Sequence, residues 1–560
     1  MTKGIYEDFY RKPKPLVMSE KSNKDFHNAV NCHICGGELG KDRVRDHCHF
    51  TGVYPYDYVS SIEKLSETQI PPKQGFYSKL YDEDISDEDY QHAIKVWNTF
   101  GCKTIRDYHD LYLKSDVMLL ADVFENFRKT CLKHYKLDPA HYFTSPGLAW
   151  DACLKTTGQR LELLHDYDML MMIERGIRGG ITHISKRYAE ANNKYMENYD
   201  TKKKSSFIQY LDANNLYGWA MSQNLPTHGF KMMTNITVEK VMEILEKTND
   251  SMANTGKKGY IFEVDLEYPP DLWDLHNDYP LAPELIKVNG VEKLICHFKP
   301  RKNYVIHYRA LRQCLELENI RKRQNIVLVD DRKKALKLSS RPNFDRCTIF
   351  DPNLIAIHMK KTEVYFNKPV YVGQAILDLS KTLMFDFHYN YIKDKYGKKA
   401  ELLFTDTDSL MYQIKTKDFY EDICYDIKNK FDTSDYPSDH PSGITTGVNK
   451  KVIGMFKDEA SGKQITHFVG LRPKLYSYKV EDELELKKCK GIKKNVVKKS
   501  LSFDDYVRCL FSGEKEMRNM KIIRSDKHDL YSKEVNKIAL SNQDDKRIVL
   551  NDQTHTLAIR

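Results

Sequence analysis

The sequence predicts an α+β protein with antiparallel strands. Three observations carry that expectation: a strand–turn–strand signature at 402–414, short apolar strands at 206–221 and 259–268, and long helical periodicities at 90–135 and 371–396. In the first, Leu402-Leu403-Phe404 leads into Thr405-Asp406-Thr407-Asp408, and Ser409-Leu410-Met411-Tyr412-Gln413-Ile414 leads away. Phe207-Ile208-Gln209-Tyr210-Leu211 reads as a short buried strand, as does Gly259-Tyr260-Ile261-Phe262-Glu263-Val264-Asp265-Leu266.

The helices follow from spacing. Leu111, Val117, Leu119, Leu120, Val123, Phe124 and Phe127 fall largely on one face of a helix over 90–135. A second helical stretch is expected over 147–176, ending at Gly176, and a third over 371–396, ending at Gly397. Residues 53–93, with Pro71-Pro72 and an acidic run from Tyr81 to Asp89, read as a linker into the first helix. Residues 1–31 are polar and Lys-rich, and 32–52 form a small Cys/His patch.

Composition bounds the class. With 560 residues, 41% apolar and 30% charged, the chain is long enough for several domains and is neither a disordered nor a membrane composition. No apolar run reaches the length of a membrane span, and the N-terminus lacks a signal-peptide core, so a nuclear or cytoplasmic location is expected, with no membrane partner. The 12 cysteines are scattered, which argues against a disulfide framework. The net charge of +9 permits a polyanionic partner, and it is concentrated in Lys202-Lys203-Lys204 and in the segment Lys487–Lys494 with Lys498-Lys499.

The chemistry-bearing residues are acidic. Asp212 follows an apolar strand, and Asp406 and Asp408 sit at a hairpin tip 194 positions further on. Each piece in isolation has a plainer reading, as a helix cap or as turn chemistry. Together, carboxylates on rigid strands are what two divalent cations need to promote an in-line phosphoryl displacement.

Asp212-Ala213-Asn214-Asn215-Leu216-Tyr217-Gly218 resembles the first acidic motif of family B DNA polymerases, and Phe404–Ser409 resembles the second. Leu471-Arg472-Pro473-Lys474-Leu475-Tyr476 resembles their Lys-x-Tyr motif, and Arg178-Gly179-Gly180 the glycine turn that precedes the polymerase region. The four stand in the family's order. Ser145–Asp151, Tyr279–Glu284 and Lys537–Ser541 resemble the protein-primed viral and Polinton/Maverick mobile-element branch, and the likeness runs from about residue 53 to the C-terminus.

The resemblance implies a palm with an antiparallel sheet, helices and a thumb. It implies two Mg2+ ions held by Asp212, Asp406, Asp408 and the carbonyl of Ala213, with Leu216 and Tyr217 at the nucleotide. It implies that Arg178, Gly179, Gly180, Lys474, Tyr476, Lys490, Lys493 and Lys494 contact DNA. Primer-template DNA, deoxynucleoside triphosphates and a terminal-protein primer are the partners it brings. The domains it suggests are a tail and partial HNH-like patch (1–52), an exonuclease remnant (53–176), a palm with the first acidic motif and an insertion (177–315), a residual fingers junction (316–360), a palm with the second acidic motif (361–455), and a thumb with the C-terminal region (456–560).

The chain departs from the family in three places. No Lys-x3-Asn-x2-Tyr-Gly motif lies between Asp212 and Asp406; the usual lead-in at Tyr304–Leu311 runs through Leu317 into Glu318–Arg323, so the fingers are expected to be truncated. Arg321, Lys322, Arg323 and Lys333 are the basic residues left near that junction. Of the exonuclease, only Tyr112 and Asp116 resemble a motif, so no proofreading is expected. Cys32, Cys35 and Cys48 stand as candidate Zn2+ ligands in a module whose second Cys pair is missing. The expected activity is DNA-directed DNA polymerisation by a nucleotidyltransferase, in the replication of a viral or mobile element. The alternative is a degenerate nucleic-acid-binding remnant without catalysis.

Overall fold

Gly101, at φ 63°, divides the first helical periodicity into α1 (Asp87–Thr99) and α2 (Ile105–Tyr135). Ser86 caps α1 by accepting the Asp89 N–H, and Thr104 and Asp107 close a reciprocal capping box on α2. The computed structural model describes residues 55, 57–78, 80, 83–233, 236–248, 258–317, 344–351, 354–359, 368–481, 484–526 and 529–560. Two compact units emerge: Met1–Gln159 with Lys521–Lys533, and Arg160–Met520 with Glu534–Arg560.

In the first unit, Phe76 and Ile85 are buried with Ala93, Val96, Trp97, Ile105 and Tyr108. The segment expected to be a linker therefore contributes to a core, and the Tyr90 hydroxyl fastens it by donating to the Pro71 carbonyl. The apolar stripe of α2 stays largely in solvent, with Leu113, Val117, Leu120, Val123, Phe124 and Phe127 all exposed. The next helix, α3 (Ser145–Thr157), stops at Gly158 (φ 65°), so the single helix expected over 147–176 is two. The second, α4 (Tyr167–Gly176), is capped by Asp166 and belongs to the other unit.

The second unit is built on a ten-stranded sheet. Its strands are β1 (Thr182–Ile184), β2 (Tyr188–Glu190), β3 (Phe207–Ala213), β4 (Ala400–Asp406), β5 (Ser409–Ile414), β6 (Phe431–Asp432), β7 (Phe456–Asp458), β8 (Ile465–Arg472), β9 (Leu475–Val480) and β10 (Leu484–Cys489). The main path is β1-β4-β5-β3-β8-β9-β10, with β7 on β3, β6 on β7 and β2 on β8. All pairs are antiparallel except β6 with β7. The fold is thus mixed α/β with antiparallel sheets.

Period-two alternation sorts the faces. Phe207, Leu211, Ala213, Leu410, Tyr412 and Ile414 pack into the larger core, with Met384, Phe385 and Phe387. Ile208, Phe404, Met411, Phe468, Tyr476 and Tyr478 form a separate cluster on the other face. By the same alternation Asp212 follows Ile208 and Tyr210, and Asp406 follows Phe404, so both acids lie on the second face.

Helix α5 (Leu216–Met221) follows β3, and α6 (Val370–Asp386) packs on α4 and α5. Beyond Asp386 the helix widens into a π segment, Phe387–Lys393, and ends at Gly397 (φ 53°). The last twenty residues return to the sheet, where the Arg187 N–H donates to the Thr554 carbonyl at 2.7 Å.

Phe404 is 2% exposed, stacked on Tyr476 and Phe468 and edge-on to Tyr210. Replacing it with alanine should cost about 3–5 kcal/mol of stability, read as a lower chemical-denaturation midpoint for the sheet-bearing unit.

Candidate functional site

The two strands β4 and β5 are joined by Thr407-Asp408, with Asp406 paired to Ser409. Thr407 takes φ 69°, a left-handed conformation costly for a β-branched residue. Its N–H donates to the Ile181 carbonyl at 2.8 Å, and the backbone of Gly180 lies directly on its side chain. A methyl group at Gly180 would come within 2.4 Å of Thr407 Cγ2 and Oγ1. Gly180 is therefore required by the acidic turn itself. Gly179, by contrast, faces open space. The turn is held from behind by Lys381, whose buried Nζ donates to the Arg178 carbonyl at 2.9 Å.

Strand β3 lies beside this turn. Asp212 is opposite Ser409 of β5 on one side and Lys457 of β7 on the other. The Ala213 N–H donates to the Asp408 carbonyl at 2.7 Å, closing the gap between the acidic segments. Burial, then the Asp408 carboxylate, then Glu459 push the Asp212 carboxyl up to about 7, against the opposing pull of Lys457. Burial also raises Asp408, with Asp406 adding to it and Lys474 opposing. Asp406 is bridged by Lys474 at 2.6 Å. The lysine reaches it from the β8–β9 turn, where its backbone sits at φ 62°.

Glu459 is an acidic neighbour that motif reading misses. Its N–H donates to the Tyr210 carbonyl, which fixes it next to β3. The Lys457-Asp458-Glu459 triplet carries no signal until the pairing of β7 with β3 is known.

The remaining candidates divide into outward and inward groups. Tyr217, on α5, is 38% exposed, and burial together with Asp408 raises its hydroxyl. Asn215 (φ 46°) caps α5 by accepting the Gly218 N–H, and a methyl at Gly218 would lie 2.2 Å from the Asn215 amide. Leu216 is buried. Lys490 and Lys494 are exposed and Lys493 half-buried. The Lys490 N–H donates to the Lys474 carbonyl, which brings that basic run alongside Lys474.

Two expected strand contacts point inward instead. Arg178 is 5% exposed; it donates to the Val305 carbonyl at 2.8 Å and covers the Tyr304 ring at 3.6 Å. Tyr476 is 3% exposed, and its hydroxyl meets that of Tyr210 at 3.2 Å. Both side chains are committed to packing: the register of β9 turns Tyr476 into a core, and the segment between α4 and β1 lays Arg178 over Tyr304. Tyr112 and Asp116 lie on α2, in the other unit. Cys32, Cys35 and Cys48 fall outside the described residues, as do Arg321, Lys322, Arg323 and Lys333.

Among the described residues, no three His, Cys, Asp or Glu side chains are grouped to hold a metal on their own. The chemistry of Asp212 and Asp408 nonetheless suits a hard divalent cation. Both offer carboxylate oxygens, and Asp212 is raised by burial and by the Asp408 and Glu459 charges, which Lys457 offsets only in part. Mg2+ commonly takes one or two carboxylates and completes its shell with water and substrate phosphates.

No family model matches the chain, and no curated protein matches it. Among solved structures, that of Phi29 DNA polymerase complexed with primer-template DNA and incoming nucleotide substrates is similar at a TM-score of 0.39 and 11% identity, over 87% of this chain and 78% of that one. A likeness this weak does not establish a shared fold.

The burial of Asp212, with the Asp408 charge beside it, has a measurable consequence. A carboxyl raised in the folded state binds more protons folded than unfolded, so its contribution to stability falls as pH rises from about 4 to about 7. In metal-free buffer with EDTA, Asp212→Asn should be more stable than the parent at pH 8 by about 1–2 kcal/mol, after allowance for solvent screening. That advantage should disappear near pH 4, as read by denaturation at the two pH values.

Proposed function

We propose that this chain is a DNA-directed DNA polymerase that extends a primer 3′-hydroxyl in the replication of a viral or mobile element. The observation that carries the reading is the convergence of Asp212 with the Asp406-Thr407-Asp408 turn, across adjacent strands joined by the Ala213–Asp408 hydrogen bond. The motif resemblance of those segments supports it, because these are the residues on which the family's chemistry depends.

On this reading Asp212 and Asp408, with the Ala213 carbonyl, hold Mg2+, and Asp406 stands beside them. When bound, the ions neutralise the triphosphate and favour ionisation of the primer hydroxyl. Lys474, now on Asp406, is within reach of a primer phosphate. Tyr217 presents a ring for the sugar of the incoming nucleotide, where a 2′-hydroxyl would collide. Lys490, Lys493 and Lys494 meet the duplex backbone, a contact independent of sequence. Arg178 acts through its carbonyl and its packing, and Gly179 leaves bare backbone for the template. A terminal protein is the primer to be tested first.

One observation favours a second reading, a nucleic-acid-binding remnant without catalysis. The Lys-x3-Asn-x2-Tyr-Gly motif is missing from the sequence between Asp212 and Asp406. Losing that lysine's grip on the triphosphate removes a charge-assisted contact worth about 1.5–3 kcal/mol. Residues 318–343, where the junction falls, lie outside the described residues.

Primer extension separates the two. With Mg2+, primed template and deoxynucleotides the protein should lengthen the primer, and Asp408→Ala should lower the rate at least 1,000-fold while DNA affinity stays within about threefold. Tyr217→Ala should retain extension and raise ribonucleotide incorporation. No extension by the parent chain, with DNA binding intact, establishes the remnant.

A further inference from the structure

The catalytic carboxylates occupy one end of the central sheet; the other end is basic. β3 begins just after Lys202-Lys203-Lys204, β4 just after Lys398-Lys399, and β5 ends just before Lys415 and Lys417. The register places these segments together: Ala400 pairs with Ile414, and Ile414 with Phe207. The Lys415 N–H donates to the Lys399 carbonyl at 2.9 Å, and Ser205 Oγ reaches the Lys417 carbonyl at 3.4 Å. With neighbouring strands about 4.8 Å apart, seven lysines distant in sequence emerge on a front only about 10–15 Å wide. The seven-residue β3 separates them from Asp212 by about 20 Å.

Six of these seven cations are not neutralised among the described residues. Lys202, Lys203, Lys204, Lys398, Lys399 and Lys417 are exposed and have no ion pair among the described residues. The neighbouring acids are engaged elsewhere. Glu401 pairs with Lys186 at 2.7 Å and with Lys415 at 3.4 Å. Asp418, buried, takes Lys194 and the Tyr195 hydroxyl, and Glu421 lies 3.5 Å from Lys194. The Asp200 carboxylate accepts the Lys202 backbone N–H at 2.9 Å.

The lysine run is also held in place. Asn192 accepts the Asp200 N–H at 2.9 Å and donates to the Asp200 carbonyl, while its backbone bridges to Ser206. Like charges gathered on an anchored turn repel one another unless a polyanion relieves them.

We propose that this end of the sheet is a second nucleic-acid contact, gripping the phosphates of a duplex independently of the carboxylate site. The side-chain chemistry favours a phosphate backbone over an acidic protein segment. The three segments, 201–205, 397–400 and 415–418, contain lysine and no arginine. Lysine is a mobile point charge suited to sequence-independent phosphate contact, whereas carboxylate recognition exploits the guanidinium fork. The segments also carry no large apolar side chain to insert into a lipid surface.

A covalently closed duplex circle in EDTA tests this contact apart from the proposed chemistry, since it offers neither a primer end nor a metal. The full-length protein should bind it, and Lys203→Glu/Lys399→Glu/Lys417→Glu should bind at least tenfold more weakly at about 0.1 M salt. The slope of log affinity against log salt should fall by about 2–3, in proportion to the lost phosphate contacts. The matching Lys→Gln triple should show a smaller loss in the same direction, and Asp408→Ala should bind the circle as the parent does. Unchanged affinity and slope in both triples would overturn the proposal. So would retention of duplex binding together with loss of binding to anionic vesicles or polyglutamate, which would assign the surface to one of those partners.

Discussion

The architecture turns on a hydrogen bond of 2.7 Å between the Ala213 N–H and the Asp408 carbonyl. It ties the end of β3 to the turn between β4 and β5, and so holds two carboxylates against their mutual repulsion. Burial strengthens that repulsion by removing water that would screen it. A loop could not hold such a pair, because the acids would swing apart. A sheet can, since β3 is flanked by β5 on one edge and by β7 and β8 on the other, with apolar cores on both faces.

The turn carries a second cost, the left-handed Thr407. Its support runs in a line through the fold. Lys381 holds the Arg178 carbonyl, Arg178 fills the space over Tyr304, and Gly180 brings bare backbone onto Thr407. Lys381 is buried deeply enough that its ammonium is pushed down to about 8, with Asp378 opposing that shift. Asp378 in turn accepts the His307 N–H and the Gln374 amide. The glycine turn and the acidic turn, read from sequence as separate motifs, are one mechanical unit.

The sheet strands and the acidic turn were legible because their signals are local: short apolar runs marked β3, β4 and β5, and Asp-Thr-Asp marked the turn. The split at Gly158 was missed because periodicity continues across it, and only the left-handed backbone there reveals the break. The core role of Phe76 and Ile85 was hidden by surrounding charge and proline. Arg178 and Tyr476 looked like surface contacts because polar residues in motifs are read as facing outward; the packing that buries Arg178 on Tyr304 and the register that buries Tyr476 are tertiary information. Glu459 and the gathered lysines were invisible for the same reason, since strand pairing, not spacing, brings them to their places.

The balance between an active polymerase and an inert remnant can be weighed by what the fold still tolerates. An acidic pair only partly offset by Lys457 and Lys474, and a strained threonine, each lower stability, and single substitutions relieve either one: Asn at 212, or Gly or Asn at 407. A chain maintained only for nucleic-acid binding gains nothing from them, because its contacts are lysines, and carboxylates repel phosphate. On the proposed polymerase reading, their presence together, braced from behind, is what catalysis demands and what binding alone does not. On the same reading, the missing Lys-x3-Asn-x2-Tyr-Gly motif weakens the hold on a nucleotide, yet it leaves this braced acidic corner intact.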